Sequence, residues 1–350
     1  MVNKSPRELF EVPTTWSITQ VIASLSAALD NSGPALAFGS SEFTTVESRI
    51  AVVIPTSGSS GAPKEVALTA AALLTSASSA HKFLGAKEGE RWSLALPTHH
   101  IAGVNVLVRA IALGSEITPV DFDYTSIVPT QLYRALDSDS NLLASLQTAK
   151  AVLVGGAAVN KELLQEARVA GINVITTYGM SEMSGGCVYN NEPLAGVEVE
   201  IREDDRVALR GPMQALRYLN SPERLSDKSG WFLTNDSGYL QNGKLYIRGR
   251  IDDQIISGGE KISLSAIDDF LNKDGPFYMS CAIDNPEWGQ QLCLASSRVI
   301  DIQIIKAALR VHFGNHGVPK KFLSNIDLPT TLIGKADRQT LAQRFERIES

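Results

Sequence analysis

Short apolar runs bounded by turn residues recur through the first two thirds of the chain, at Ile50–Ile54, Trp92–Leu96, Ala151–Val154 and Val174–Thr177, with helical patterns between them. This alternation predicts parallel strands joined by crossover helices. From Val197 the texture changes to short strands with tight turns, at Val197–Ile201, Arg206–Leu209 and Gly243–Ile247. These read as an antiparallel β portion that closes a first domain. The charged segment Arg248-Gly-Arg-Ile-Asp-Asp253 then breaks the pattern. Beyond it come an amphipathic helix near Leu264–Leu271, strands near Ser280–Ile283 and Leu292–Ser296, and a helix over Ile302–Phe313. The expected fold is α/β: a large N-terminal domain, 1–250, of mostly parallel sheets and helices plus a β portion, and a small α+β domain, 251–350. Neither repeats nor low-complexity tracts interrupt it.

Composition narrows the class. With 350 residues, 44% hydrophobic and 20% charged, the chain can bury more than one core. Cys187, Cys281 and Cys293 form no Cys-x-x-Cys pair, which predicts neither a disulfide framework nor a zinc site and fits a reducing cytoplasm. No charged-then-apolar leader precedes Trp16 and no apolar run approaches the roughly 20 residues that span a bilayer, so a cytoplasmic protein without membrane insertion is expected. A net charge of -6 argues against nucleic acid as a partner.

Three strand ends carry candidate chemistry. After the run Ile50–Ile54 comes Thr56-Ser-Gly-Ser-Ser-Gly-Ala-Pro-Lys64. Gly58 and Gly61 let several backbone N–H groups turn toward one anion, Thr56, Ser57, Ser59 and Ser60 add hydroxyls, and Lys64 adds a charge. It is not a Walker A loop, because Pro63 stands where that motif needs glycine. A phosphate cradle and a plain surface turn both fit. Thr177-Tyr-Gly-Met-Ser-Glu182 follows a second apolar run, where open α/β sheets gather ligands; Ser181 and Glu182 suit Mg²⁺ against phosphate, or simply a helix start. Gly155-Gly156 ends a third run as a nucleotide contact or a tight turn. Thr234-Asn-Asp236 and Arg248-Gly-Arg250 offer a carboxylate and a guanidinium for a ribose, and Lys335 is by itself a solvated surface lysine.

Together these segments resemble the adenylate-forming superfamily of acyl-CoA synthetases, luciferases and peptide-synthetase adenylation domains. Five motifs stand in the family's order from about residue 50 to the end: the loop 56–64, Tyr178-Gly-Met-Ser-Glu182, Thr234-Asn-Asp236, Gly249-Arg-Ile-Asp-Asp-Gln-Ile-Ile-Ser-Gly-Gly-Glu-Lys-Ile262 and Gly334-Lys-Ala-Asp-Arg338. The resemblance implies that a carboxylate attacks the α-phosphate of ATP, releasing pyrophosphate, and that CoA then displaces AMP. It implies that the 56–64 loop holds the outer phosphates, Glu182 and Ser181 place Mg²⁺, and Tyr178 stacks on the adenine, with Gly179 and Met180 also contacting the nucleotide. Asp236 would bind the ribose, Arg250 the nucleotide, and Lys335 the reacting carboxylate and α-phosphate. Asp252 would be the hinge on which the small domain turns to present Lys335 first and Gly258-Gly259 afterwards, for thioester formation.

The acid is suggested by Pro97-Thr-His-His-Ile-Ala-Gly103, which matches the family's substrate-side motif with His100 at its histidine. On the helical pattern that follows, Asn105 and Arg109 form one i, i+4 polar stripe, facing either an anion in the pocket or solvent. With Val128-Pro-Thr-Gln-Leu132, Val154-Gly-Gly-Ala157 and the segment 178–189, this region is most similar to the 2-succinylbenzoate-CoA ligases of menaquinone biosynthesis, in their compact actinobacterial form. That resemblance implies a dicarboxylic substrate whose aromatic carboxylate pairs with Arg109, helped by His100. Departures are the short stretch before residue 56, which implies a missing part of the large domain and leaves a homodimer undecided, and asparagine in Thr234-Asn-Asp236 where glycine is commoner. Another aryl- or acyl-CoA ligase, a free-standing adenylation enzyme and a non-catalytic nucleotide-binding relic remain alternatives. Retention of Lys335, Glu182 and Asp236 weighs against the last.

Overall fold

The structure, a computed structural model, describes residues 6–56, 64–257, 259–273, 275–286, 289–330 and 336–348. The expected strand at Ile50 runs over Ile50–Thr56, buried along its first five residues and parallel to Ala35–Ala37. Its other neighbour differs from a crossover pattern. The chain returns directly as Lys64–Thr69, antiparallel, with Thr56 opposite Lys64. The two strands belong to a six-stranded mixed sheet that also takes in Pro6–Glu11, Thr45–Glu47 and Arg217–Tyr218.

A second six-stranded sheet follows the sequence pattern more closely. Trp92–Leu94, Tyr124–Ile127, Ala151–Val154 and Val174–Met180 lie parallel and in chain order, and Gly185–Tyr189 folds back antiparallel on the last of them. Period-two side-chain alternation sorts its residues between two cores. Leu153 and Ile175 face the core shared with the first sheet, whereas Val152, Val154 and Val174 pack with Leu132, Leu146 and Leu163 of the helices on the other side. The helices Ala70–Leu84 and Ile101–Leu113 contribute Leu73, Ala77, Val104 and Leu107 to the shared core. Ile101–Leu113 is buried from Gly103 through Ala110, as expected of a helix that is apolar almost all round. Truncating its fully buried Leu107 to alanine would cost about 2–5 kcal/mol.

The antiparallel portion appears where the texture changes: Glu198–Ile201, Arg206–Arg210, Phe232–Gln241 and Lys244–Arg250 form one four-stranded sheet. Its last hairpin turns through Asn242 and Gly243, both at positive φ, as a two-residue turn requires. A fourth sheet, built from Gln254–Ser257, Glu260–Ser263, Tyr278–Asn285, Gly289–Ser296 and Lys321–Leu323, belongs to a small α+β domain. Leu341 and Phe345 of the helix Arg338–Arg347 cover one face, against Met279, Ile283 and Ala295. Ile267 and Leu309, of the helices Leu264–Leu271 and Ile302–Phe313, join Ile255, Ile262 and Leu292 in a separate core. Cys281 and Cys293, distant in sequence, sit opposite one another across two strands as buried free thiols. Among the described residues no helix is long and apolar enough to cross a membrane.

Candidate active site

The site forms where strands of the second sheet end. A Cβ on Gly155 would lie 2.1 Å from Thr177 Oγ1, and one on Gly179 would lie 1.9 Å from the Gly185 carbonyl. These strand ends therefore approach as closely as only glycine allows. Past Met180 the chain makes a single tight turn, Ser181–Met183, and Ser184 enters the left-handed region at φ 52°. That turn places Glu182.

Two contacts fix Glu182. Its carbonyl accepts from the Ala215 N–H at 2.8 Å, and its Oε1 accepts from the Tyr218 hydroxyl at 2.9 Å. Tyr218 is paired with Val66, two residues beyond Lys64, and the Lys64 Nζ sits 4.9 Å from the centre of its ring. The same ammonium donates to Glu223 Oε2 at 2.6 Å. Tyr218 thus joins Lys64, the end of the 56–64 segment, to Glu182. Burial, then the Glu182 charge, pushes its phenol well above the ordinary range.

A second group contains Tyr178, Asp236 and Arg250. The Tyr178 hydroxyl donates to Asp236 Oδ2 at 2.6 Å, and burial followed by the Asp236 charge raises its pKa. Thr234 steadies the aspartate: its hydroxyl donates to the Val207 carbonyl at 2.8 Å and accepts from the Asp236 N–H at 3.0 Å. Arg250 faces Asp236 across the strands, and its guanidinium grips Asp252 through Nε at 2.6 Å and through Nη2. The hydrogen bond to Asp252 raises the Arg250 pKa against the opposing effect of burial.

A third group lines the helix Ile101–Leu113. His100 is its N-cap, with its ring 4.2 Å from that of His99. A Cβ on Gly103 would come within 2.3 Å of the Pro97 carbonyl, so glycine lets the His100 turn lie against the helix. The polar stripe faces inward: Asn105 is 2% exposed and Arg109 4%. Asn105 Nδ2 donates to the Ser184 carbonyl at 2.5 Å, so its amide is committed to the turn after Glu182. Gly185, at φ 94°, makes room, because a Cβ there would meet Asn105 Nδ2 at 1.9 Å.

Arg109 has a different environment. Nη2 donates to the Tyr189 hydroxyl at 2.8 Å and Nη1 to Ser126 Oγ at 3.3 Å, the guanidinium lies 5.4 Å from the Trp92 ring, and buried Nε has no hydrogen-bond partner among the described residues. None of the described carboxylates is within ion-pair distance. Burial, then the Arg109 charge, lowers the nearby His81 to about 4, so this imidazole is neutral at physiological pH.

Seven of the expected site residues, Ser57, Gly58, Ser59, Ser60, Gly61, Gly258 and Lys335, lie outside the described residues. Thr56 donates to the Lys64 carbonyl at 3.2 Å, Gly156 stands at φ 84°, and Gly259 at φ 86° with open space beside it. The described residues contain no group of three His, Cys, Asp or Glu side chains that converge on a metal position. Glu182 alone suits Mg²⁺, which keeps waters and takes one or two carboxylates plus substrate phosphates. Sequence reasoning missed Tyr218, Glu223, Ser126 and His81, none of which stands in a recognisable spacing, and gave no role to Tyr189 at the end of the 178–189 segment.

A protein-family model described as AMP-binding enzyme matches residues 17–213. A probable 2-succinylbenzoate–CoA ligase of Mycobacterium tuberculosis is 36% identical over 339 residues, 86% of each chain. The 2-succinylbenzoate–CoA ligase of Escherichia coli is 34% identical over 244 residues, 64% of this chain and 53% of that relative. Among solved structures, a variant of Escherichia coli MenE with bound OSB-AMS superposes with a TM-score of 0.75 at 25% identity, over 96% of this chain and 81% of that one. ATP-bound MatB from Rhodopseudomonas palustris gives 0.78 at 18% identity, over 97% and 84%, a likeness of fold alone.

Proposed function

Because the chain belongs to the AMP-binding, adenylate-forming enzymes, we propose that it activates 2-succinylbenzoate with ATP and transfers the acyl group to CoA. The products are 2-succinylbenzoyl-CoA, AMP and pyrophosphate, a step of menaquinone biosynthesis. It is an ATP-dependent, AMP-forming acid–CoA ligase.

The observation that carries the choice of acid is Arg109, a buried cation whose partners among the described residues are all neutral. An uncompensated buried charge costs several kcal/mol, and a carboxylate entering beside it would lower that cost and supply a charge-assisted pair. An acid with one carboxylate to activate and a second to anchor fits this need. In this reading Tyr189 and Ser126 hold the guanidinium in place, while His81 stays neutral and adds no competing charge. His100, the N-cap of this helix, assists Arg109 in holding the aromatic carboxylate. Asn105 acts indirectly, by tying the acid helix to the turn of Glu182.

The nucleotide side follows. The 56–64 loop, with Lys64, holds the outer phosphates; Asp236 binds ribose hydroxyls, Tyr178 with Gly179 and Met180 borders the adenine, and Gly155-Gly156 and Arg250 complete the pocket. Glu182 with Ser181 would hold Mg²⁺, which would supply positive charge to offset that of the phosphates. In the first reaction the aliphatic carboxylate oxygen bonds to the α-phosphorus and the bond to pyrophosphate breaks; Lys335 offsets the negative charge that builds there. In the second the CoA thiol attacks the acyl carbon and AMP leaves with the carboxylate oxygen. We place the domain boundary at 250/251, with Asp252 as the hinge and Gly258-Gly259 facing the thioester step. Arg250 ending one sheet and Gln254 opening the next support this placement.

The test is pyrophosphate exchange into ATP with 2-succinylbenzoate, benzoate and a long-chain fatty acid, followed by addition of CoA. Exchange dependent on 2-succinylbenzoate and discharge by CoA are expected. Preference for another acid would reassign the substrate, and an adenylate that CoA does not discharge would favour a carrier-loading enzyme.

A further inference from the structure

Tyr178 and Asp236 belong to different sheets, 58 residues apart in the chain, and meet in one short contact, the Tyr178 hydroxyl donating to Asp236 Oδ2 at 2.6 Å. Tyr178 stands near the end of the strand Val174–Met180, opposite Val188, and packs against the core that the first two sheets share. Burial, then the Asp236 charge, keeps the phenol protonated. It is therefore a donor across the working pH range.

Asp236 lies in the strand Phe232–Gln241, and its main chain is fixed by its neighbours. Its N–H donates to Thr234 Oγ1 at 3.0 Å, the Thr234 hydroxyl donates to the Val207 carbonyl at 2.8 Å, and the residue pairs with Arg250 on the next strand. These main-chain contacts leave the side-chain torsions unset. A carboxylate that takes two vicinal hydroxyls must present its two oxygens to them in one orientation. The Tyr178 bond has the length of the short, charge-assisted O–H···O⁻ class, and its donor is itself anchored against the core. Phenylalanine at 178 would offer a base the same ring face but would leave the carboxylate without this donor.

We propose that the Tyr178 hydroxyl makes Tyr178 a positioning residue for Asp236: it holds the carboxylate toward the ribose, so that one side chain borders the base and also enforces selection for a nucleotide with intact 2′- and 3′-hydroxyls. The inference rests on the reading of Asp236 as the ribose carboxylate. A bond that only tied the strand Val174–Met180 to the four-stranded sheet would act on every nucleotide alike. A bond that orients Asp236 acts only where ribose hydroxyls are present to be bound. A hydrogen bond to a charged group changes an equilibrium constant by about 10- to 100-fold.

The experiment measures Kd for ATP and for 2′,3′-dideoxy-ATP by calorimetry, with Mg²⁺ and without acid, in the parent, Tyr178→Phe, Asp236→Ala and the double variant. The parent should favour ATP by at least about tenfold. Tyr178→Phe should weaken ATP about five- to tenfold and leave dideoxy-ATP within about threefold of the parent. Asp236→Ala should bring the two constants together, and adding Tyr178→Phe to it should change their ratio no further. Tyr178→Trp, which keeps a flat ring and lacks the hydroxyl, should lower the ratio in the same way and keeps the test decisive if Tyr178→Phe does not fold. Equal weakening of both nucleotides, or an unchanged ratio, would overturn the positioning role. A parent without preference, or an Asp236→Ala variant that retains it, would instead overturn the reading of Asp236 on which the inference rests.

Discussion

Replacing Arg109 with methionine removes the charge while filling much of the same buried volume, and so isolates what the charge does. Arg109 is 4% exposed, donates to Tyr189 and Ser126, and has a buried Nε without a partner among the described residues. If the aromatic carboxylate of the substrate completes this set, Arg109→Met leaves that carboxylate desolvated and unpaired. Truncating one side of a buried charge pair costs about 2–5 kcal/mol. At roughly 1.4 kcal/mol per decade, a loss of about 3 kcal/mol is close to 10²-fold. Initial rates of pyrophosphate exchange should therefore show KM for 2-succinylbenzoate raised about 10²-fold with kcat changed only a few-fold. The control acid is 4-oxo-4-phenylbutanoate, which has the same aliphatic arm and no aromatic carboxylate. Its parameters should barely move. The unliganded variant should keep or gain melting temperature, because apolar replacement of a buried charge is often neutral or stabilising. Equal losses for both acids, or none for either, would refute the anchoring role.

Lys335→Ala should abolish adenylate formation and spare thioester formation from pre-made acyl-adenylate; equal loss in stopped-flow measurements of the two half-reactions would contradict separate use of the small domain. Tyr218→Phe removes the hydrogen bond to Glu182, worth about 1.5–3 kcal/mol for a charged acceptor. Titration of exchange activity should then show a several-fold higher Mg²⁺ requirement at unchanged circular dichroism, and an unchanged requirement would release Tyr218 from that role. His81, lowered to about 4 from an ordinary 6.5, should make stability fall in acid. Well above pH 6.5 neither folded nor unfolded imidazole is protonated. As pH drops toward 4 only the unfolded state gains the proton, so the folded state loses ground. Urea titrations of His81→Phe should lack that part of the pH dependence, and parallel profiles for parent and variant would show that His81 does not supply it.

Local patterns were legible in the chain because period and turn chemistry act over a few residues. The helix Leu264–Leu271 and the strand Ala151–Val154 lie where apolar spacing put them. Partnerships over long separations were not. Asn105 and Arg109 form a polar stripe that spacing alone lets face solvent or pocket, and the choice is made by Ser184 and Tyr189, 79 and 80 residues away. Tyr218 reaches Glu182 because a two-residue strand pairs with Val66, a contact that Arg217-Tyr218 does not announce. Cys281 and Cys293 look scattered in sequence, yet the register of two long strands sets them opposite each other. The return of Ile50–Thr56 as an antiparallel strand was likewise hidden, since an apolar run records burial and not the direction of its neighbour.

The most direct measurement offers the protein 2-succinylbenzoate, benzoate and a fatty acid together with ATP, Mg²⁺ and CoA, and identifies every thioester and nucleotide formed by mass spectrometry. The account predicts 2-succinylbenzoyl-CoA as the dominant thioester, with AMP and pyrophosphate formed in equal amount to it. A different dominant thioester, ADP in place of AMP, or no thioester from any acid would contradict it.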